Sequence, residues 1–127
     1  MVTIEKLFQE TVHLCGSTDM EEYREFSVTT FNMLMGDCFN ENNHMRLINN
    51  KEKLKTAPRI ESLAEQLPCE EQLRAALPYG WAAKLLIASD DMDEGKHTIY
   101  LQMFNNSLAS LTNKAVEESV VDVYAEY

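Results

Sequence analysis

The sequence predicts an all-α fold, a small helical bundle of four to five helices. The chain of 127 residues contains only 4 glycines and 3 prolines, too few for the frequent turns of a β-sandwich or barrel. Hydrophobic residues make up 45% of it, enough to build the core of one domain. In several long segments the apolar residues recur at helical spacing, as they do on the buried face of a helix.

The amino-terminal third predicts two helices. The first covers about residues 4–15, with Thr3 as its N-cap and Gly16 as its left-handed stop. The second is long and reaches about Asn42. Its end lies within Asn40-Glu41-Asn42-Asn43, a run of side chains that compete for the backbone. We therefore expect this helix to fray along that run.

Residues 44–67 lack the helical period, and Pro58 marks a bend. A connection of this length usually has a role or some structure of its own, so we expect a long loop or short hairpin that projects from the bundle. The segment holds the most basic patch of the chain. A solvated loop is its simplest interpretation, and contact with a partner is the functional one. The residues of this candidate partner interface are Lys51, Lys53, Lys55 and Arg59.

The remaining helices follow Pro68. A helical turn or two leads to Pro78, which kinks the helix or begins a new one. Residues 79–89 are small and apolar on nearly all sides, which is typical of a helix at the centre of a domain. A closing helix covers about residues 93–113.

The sequence therefore predicts a helical domain over residues 1–115 and an extended tail over residues 116–127. The tail is rich in β-branched residues, which favour a strand. Because a lone strand has no partner inside a helical bundle, it would pair with a neighbouring subunit by β-augmentation. The tail residues assigned to this partner interface are Val120, Val121, Val123 and Tyr124.

The formal net charge is −10 and the sequence pI about 4.6. Binding to a phosphate backbone requires clustered Lys and Arg, which the chain lacks, so the composition argues against a nucleic-acid-binding role. An acidic surface instead lets DNA slide past without sticking. One acidic cluster either caps the closing helix or faces such a channel. Its residues are Asp90, Asp91, Asp93 and Glu94.

No catalytic or metal-binding motif occurs, so we expect no enzymatic activity, no cofactor and no metal. His13, His44 and His97 lack the spacing of a zinc site on a helix. Cys15, Cys38 and Cys69 form no CxxC pair, and their odd number favours free, buried thiols in a reducing compartment. The most apolar run is too short to cross a bilayer. We expect a soluble protein.

The carboxy-terminal half carries a family resemblance. Residues 73–83 read LRAALPYGWAA, with IESL at 60–63 and Leu67-Pro68 before them. An acidic break and a closing helix with Tyr100, Phe104 and Leu108 come after. The motif ALPYGxAA and this order of elements resemble the head–tail connector proteins of tailed bacteriophages and prophages, which are also called adaptor or head-completion proteins. The resemblance covers most of residues 1–112.

The resemblance implies a structural subunit without catalytic residues. It would form a homo-oligomeric ring, of about twelve copies in such families, beneath the portal protein at the capsid vertex. The ring would extend the DNA channel without binding DNA specifically and would offer a docking platform to a tail or stopper protein. Assembly would occur in the cytoplasm of the bacterial host and place the subunit in the virion neck.

Two other classes of function remain open from the residues. An acidic helical regulatory module, such as an inhibitor or a DNA mimic, would use the net charge. Mimics string their acids along one face, whereas here the acids cluster at helix ends. An enzyme with an unfamiliar site is the least favoured class.

Overall fold

The structure, a computed structural model, describes residues 2–16, 20–89 and 94–125, and side chains as far as residue 112 except that of Met20. Five helices occur in these ranges, and the all-α prediction is confirmed. A short 3-10 turn, Glu71–Leu73, precedes the fourth helix. The helices are α1 (Ile4–Leu14), α2 (Met20–Asp37), α3 (Phe39–Ile48), α4 (Leu77–Ala88) and α5 (Glu94–Ala125).

Helix α1 has the ends that the sequence predicts. The Thr3 hydroxyl oxygen accepts a hydrogen bond from the backbone N–H of Lys6 at 3.4 Å, which satisfies one of the free donors at the helix start. At the other end Gly16 has φ +75°, a left-handed conformation that glycine adopts without penalty. Inside the helix, Ile4, Leu7 and Phe8 are fully buried.

Helix α4 lies at the centre of the bundle, where it contacts α1, α2 and α5. Its Trp81 is fully buried between the rings of Phe8 and Phe31, whose centroids lie 5.6 and 5.0 Å away. A buried indole needs a partner for its N–H. That group donates to the hydroxyl oxygen of Thr30 on α2 at 2.9 Å. Pro78 lies in the first turn of α4, where its missing N–H costs nothing.

The long second helix of the prediction is in fact two helices, and its expected frayed end is wrong. Cys38 lies between the end of α2 and the start of α3 and belongs to neither helix. Asn42 and Asn43, predicted to end the helix, lie within α3 and are buried. Asparagine side chains competed for backbone groups as expected, but those groups belong to another segment rather than to their own helix.

The projecting loop or hairpin predicted for residues 44–67 is also corrected. Residues 44–48 belong to α3, and the irregular segment after them lies against the bundle, with Ile60 and Leu63 buried in the core. Backbone hydrogen bonds join it to the start of α1. The N–H groups of Ile4 and Glu5 donate to the carbonyls of Glu65 and Leu63 at 2.9 and 2.8 Å. Burial of apolar side chains thus outweighs the polar character of the segment.

Two asparagines hold this irregular segment by its backbone. Asn43 accepts from the N–H of Leu54 at 2.8 Å and donates to the carbonyl of the same residue at 3.2 Å. Asn32 forms the same pair of bonds with Ile60, at 2.8 and 3.1 Å. Each amide therefore satisfies both backbone groups of one residue, as a neighbouring strand would. The segment is ordered against helices without forming a sheet.

The extended tail predicted for residues 116–127 is wrong for residues 116–125, which continue α5. The expected domain boundary after residue 115 also falls inside this helix. Lengthening an existing helix requires only propagation and not a new nucleus, so the preference of valine for strands does not decide the structure here. Residues 126 and 127 lie outside the described part of the chain.

Removal of one asparagine side chain tests whether these hydrogen bonds hold the irregular segment against the helices. We expect Asn43→Ala to lower the free energy of unfolding by about 1–3 kcal/mol, because the N–H and carbonyl of Leu54 lose their partner. Urea denaturation monitored by circular dichroism measures it. Asn40→Ala, at an exposed position of α3, is the matched control and should change stability by less than about 0.5 kcal/mol. Equal effects of the two substitutions would contradict the assignment.

Glu70 anchors the far end of the irregular segment and is a buried carboxylate. Its Oε1 accepts from Asn49 at 2.9 Å and its Oε2 accepts from Lys51 at 3.2 Å. Arg46 lies 3.8 Å away. Burial by itself raises the pKa of Glu70. The hydrogen bonds from Asn49 and Lys51 and the two positive charges outweigh it, so the pKa lies below its ordinary value of 4.5. The folded protein therefore favours the ionised form.

The lowered pKa of Glu70 makes part of the stability depend on pH. This contribution is complete above about pH 4.5, where the unfolded carboxyl is ionised, and is lost as pH falls through the lower pKa of the folded state. We expect Glu70→Gln to destabilise the protein near pH 7 and to lose that effect at pH 3. Urea midpoints at the two pH values measure the difference. The exposed neighbour Glu71 supplies the control Glu71→Gln, and a deficit that persists unchanged at pH 3 would refute the role of ionised Glu70.

Candidate interaction surface

Helix α5 is fixed to the bundle along one side. Phe104 and Leu108 are buried against the core, and Leu111 packs partly against it. The hydroxyl of Tyr100 donates to the carbonyl of Leu14, at the end of α1, at 2.7 Å. The Tyr100 ring also lies 6.0 Å from that of Tyr79 on α4. These contacts determine which side of α5 faces outward.

A glycine allows α5 to approach α4 closely. A Cβ atom at Gly80 would lie 2.7 Å from Leu34 Cδ1 of α2 and 2.7 Å from Phe104 Cδ1 of α5, closer than carbon atoms can pack. The absent side chain therefore gives both neighbours their space. Leu34 and Phe104 are themselves buried, so neither can move aside freely.

The outward side of α5 carries no charge between Gly95 and Ser110. Its ten exposed residues, here called the α5 face, are Gly95, Thr98, Ile99, Leu101, Gln102, Met103, Asn105, Asn106, Ala109 and Ser110. Charged residues make up 25% of the whole sequence, so ten exposed residues on one helix without any charge are unusual for this chain. Depletion of charge together with exposed large apolar side chains is typical of the centre of a protein–protein interface.

The sequence shows the same depletion over a longer stretch. No aspartate or glutamate occurs between Glu94 and Glu117, although the chain has 21 acidic residues. The charged residues within this interval are Lys96 and Lys114. The acidic clusters predict helix starts and a channel surface, whereas the signal for this surface is a long interval without acidic residues.

A groove adjoins the α5 face. It has a volume of about 210 Å³ and runs between α4 and α5, with Ile87, Leu101 and Phe104 in its lining. Ile87 is half exposed. The rim of the groove carries an ion pair between Lys84 Nζ and Asp37 Oδ2 at 2.6 Å. The apolar part of the surface therefore extends from α5 onto the end of α4.

The basic residues predicted as a partner interface do not act as one group. Lys51 is paired with Glu70 and lines a cavity of about 690 Å³. Lys53 and Lys55 are exposed and form no ion pair with any residue that the structure describes. Arg59 is exposed beside Met33 in another depression. Lys51 therefore has a structural role in holding the end of the segment, whatever else it contacts.

The other predicted site residues are only partly described. Val120, Val121, Val123 and Tyr124 fall in the last turns of α5, and their side chains lie outside the described part of the chain. Asp90, Asp91 and Asp93 lie outside the described residues altogether. Glu94 begins α5 and is exposed, so it occupies the helix start where the dipole favours an acid.

Cys15, Cys38 and Cys69 are buried thiols outside any disulfide, as predicted. Burial raises the pKa of both the Cys38 and the Cys69 thiol to about 12. At neutral pH these two thiols are protonated, and a thiolate nucleophile is not formed. Cys38 and Cys69 are therefore buried core residues with unreactive thiols.

The chain matches no protein-family model, no curated protein and no solved structure. Within the described ranges, no helix has the length and apolar character needed to cross a membrane. The same ranges contain no group of three or more His, Cys, Asp or Glu side chains placed to hold a metal ion.

Two glycine substitutions test how α5 is positioned. We expect Gly80→Ala to lower the free energy of unfolding by about 1–3 kcal/mol, because the new methyl group overpacks a filled core. Gly36→Ala is the matched control on α2. A Cβ there meets nothing within 4 Å, so it should raise stability by about 0.5 kcal/mol through the unfolded chain. Thermal unfolding of the two variants compares them, and a tolerated Gly80→Ala would contradict the close approach.

Proposed function

We propose that the chain is a structural, non-enzymatic subunit of the head–tail connector of a tailed bacteriophage or prophage. In this role it forms a ring beneath the portal protein, extends the DNA channel and offers a docking surface to a tail or stopper protein. Its place would be the virion neck after assembly in the host cytoplasm. The observation that carries the proposal is the uncharged α5 face on an otherwise strongly acidic body.

The α5 face supports an assembly role because of its chemistry. Its exposed Ile99, Leu101 and Met103 gain free energy when they are removed from water. Its amide side chains both donate and accept hydrogen bonds, so they can be satisfied by another protein surface at little cost. A surface of this kind suits lasting contact with protein better than contact with solvent.

The acidic remainder of the molecule supports the proposed role in the DNA channel. A chain with net charge −10 repels a phosphate backbone, and the repulsion is strongest where its acids are unpaired. Glu22, Glu25 and Glu52 are exposed acids that form no ion pair with a described residue. DNA passing along such surfaces would not be retained. A regulatory DNA mimic would instead bind its partner through these acids and leave the α5 face free.

The test mixes the purified chain with the portal protein encoded in the same genome. We expect a complex that sediments with the portal and shows an added ring of density beneath it by electron cryomicroscopy. Ile99→Glu/Met103→Glu should abolish this association, because each glutamate would be buried in the contact without a partner.

The matched control for this test is Ala64→Glu/Ala75→Glu, which adds the same charge at two exposed positions away from α5. It should associate as the parent chain does. The connector proposal would be overturned by a parent chain that never sediments with the portal. Loss of association in the control as well would show that the α5 face is not the contact surface, because added charge alone would then explain the result.

A further inference from the structure

The groove beside the α5 face is formed by two helices whose lining residues recur every three or four positions, as residues on one side of a helix do. These residues are Gly80, Ala83 and Ile87 on α4 and His97, Leu101 and Phe104 on α5. At about 1.5 Å of rise per residue, the groove is roughly 10 Å long, which corresponds to two turns of a helix.

The two helices offer this groove apolar side chains rather than free backbone groups. Ile87 and Leu101 are 52% and 41% exposed, so both can still bury apolar surface against a partner. The backbone groups beside them are used inside α4 and α5. An extended peptide in the groove would therefore leave its own N–H and C=O groups unpaired, which costs free energy. A helix satisfies its backbone internally, so the groove favours a helical partner.

Leu101 connects the groove with the α5 face. It lines the groove and is also one of the exposed residues of that face. A helix with its side chains is about 10–12 Å across, so a helix seated in the groove would also cover the adjoining part of α5. The groove and the face therefore form one continuous surface for a single helical element.

The charged groups around the groove favour a basic partner. Asp37 lines the groove, and its side chain is 51% exposed although one oxygen pairs with Lys84 at 2.6 Å. Glu94 is exposed and precedes His97 by three residues, so it lies on the groove side of α5. The net charge of −10 attracts a cationic partner from a distance, and the acids at the groove would pair with it on contact.

We propose that the groove and the adjoining α5 face bind a basic amphipathic α-helix of the portal protein. Apolar residues of that helix, spaced at i, i+3 or i+4 and i+7, would pack over Ile87 and Leu101. Its Lys or Arg residues would flank the apolar stripe and pair with Asp37 and Glu94. The proposal rests on the connector function only for the identity of the protein that carries the helix.

Three synthetic peptides test the groove on the full chain. The first has about 18 residues, long enough to form a helix, with leucines at helical spacing in an alanine background and lysines on both flanks. The second carries glutamates in place of the lysines. The third has the composition of the first, but its leucines occupy every second position, as on one face of a strand. Fluorescence anisotropy of the labelled peptides measures binding at chain concentrations up to about 1 mM.

We expect the first peptide to bind and to gain helical circular dichroism, and the other two to bind at least about tenfold more weakly. Ile87→Ser/Leu101→Ser adds no charge and should weaken binding of the first peptide at least about tenfold, because both side chains lose apolar contact. The matched control is Leu47→Ser/Ile48→Ser, which removes two apolar side chains of similar exposure on α3. This control should bind the first peptide as the parent chain does.

Each outcome separates this proposal from the connector function. Equal binding of all three peptides, or binding that survives Ile87→Ser/Leu101→Ser, shows attraction by net charge alone and overturns the proposal. Preference for the second or third peptide, or no binding at about 1 mM, also overturns it. Self-association of the chain that the same substitutions abolish would make a second copy the occupant instead. The connector role is decided independently, by sedimentation of the parent chain with the portal.

Discussion

The burial of α4 is the constraint on which the rest of the structure depends. This helix is apolar around nearly its whole circumference, so it cannot lie at a surface and must be covered on all sides. Helices α1, α2 and α5 provide that cover. Gly80 brings α2 and α5 close to it, and Trp81 fills the space toward α1 and ties its one polar group to Thr30. The arrangement of the other helices follows from this central burial.

Covering α4 occupies only one side of α5, and the other side is left to water. Nothing in the fold requires that outer side to be uncharged. Exposed helix positions gain a few tenths of a kcal/mol from paired charges, and this chain uses ion pairs elsewhere, as between Arg24 and Glu5 at 2.8 Å. That pairing lowers the pKa of Glu5, chiefly through the hydrogen bond from Arg24. The absence of charge on the α5 face is therefore a property that folding alone does not explain.

The sequence predicts well what depends on local signals and poorly what depends on distant partners. The start and stop of α1 and the central place of α4 follow from capping residues and from an apolar run, which act within a few positions of each other. The bonds of Asn32 and Asn43 to Ile60 and Leu54 join residues 28 and 11 positions apart. No local pattern marks them, so the middle segment was predicted to project when it is in fact held against the helices. The α5 face was missed because its signal is an absence of charge.

The distribution of charge connects the fold with the proposed assembly. An acidic protein that must bind copies of itself needs an uncharged surface for the contact, because charge repulsion opposes contact elsewhere. Here that surface lies on regular helices supported by the core, which hold their side chains more firmly than loops do. The basic residues of the middle segment are, by contrast, partly used to hold Glu70. The rigid helices, rather than the loop predicted to project, are therefore the parts of this molecule best suited to meet a partner.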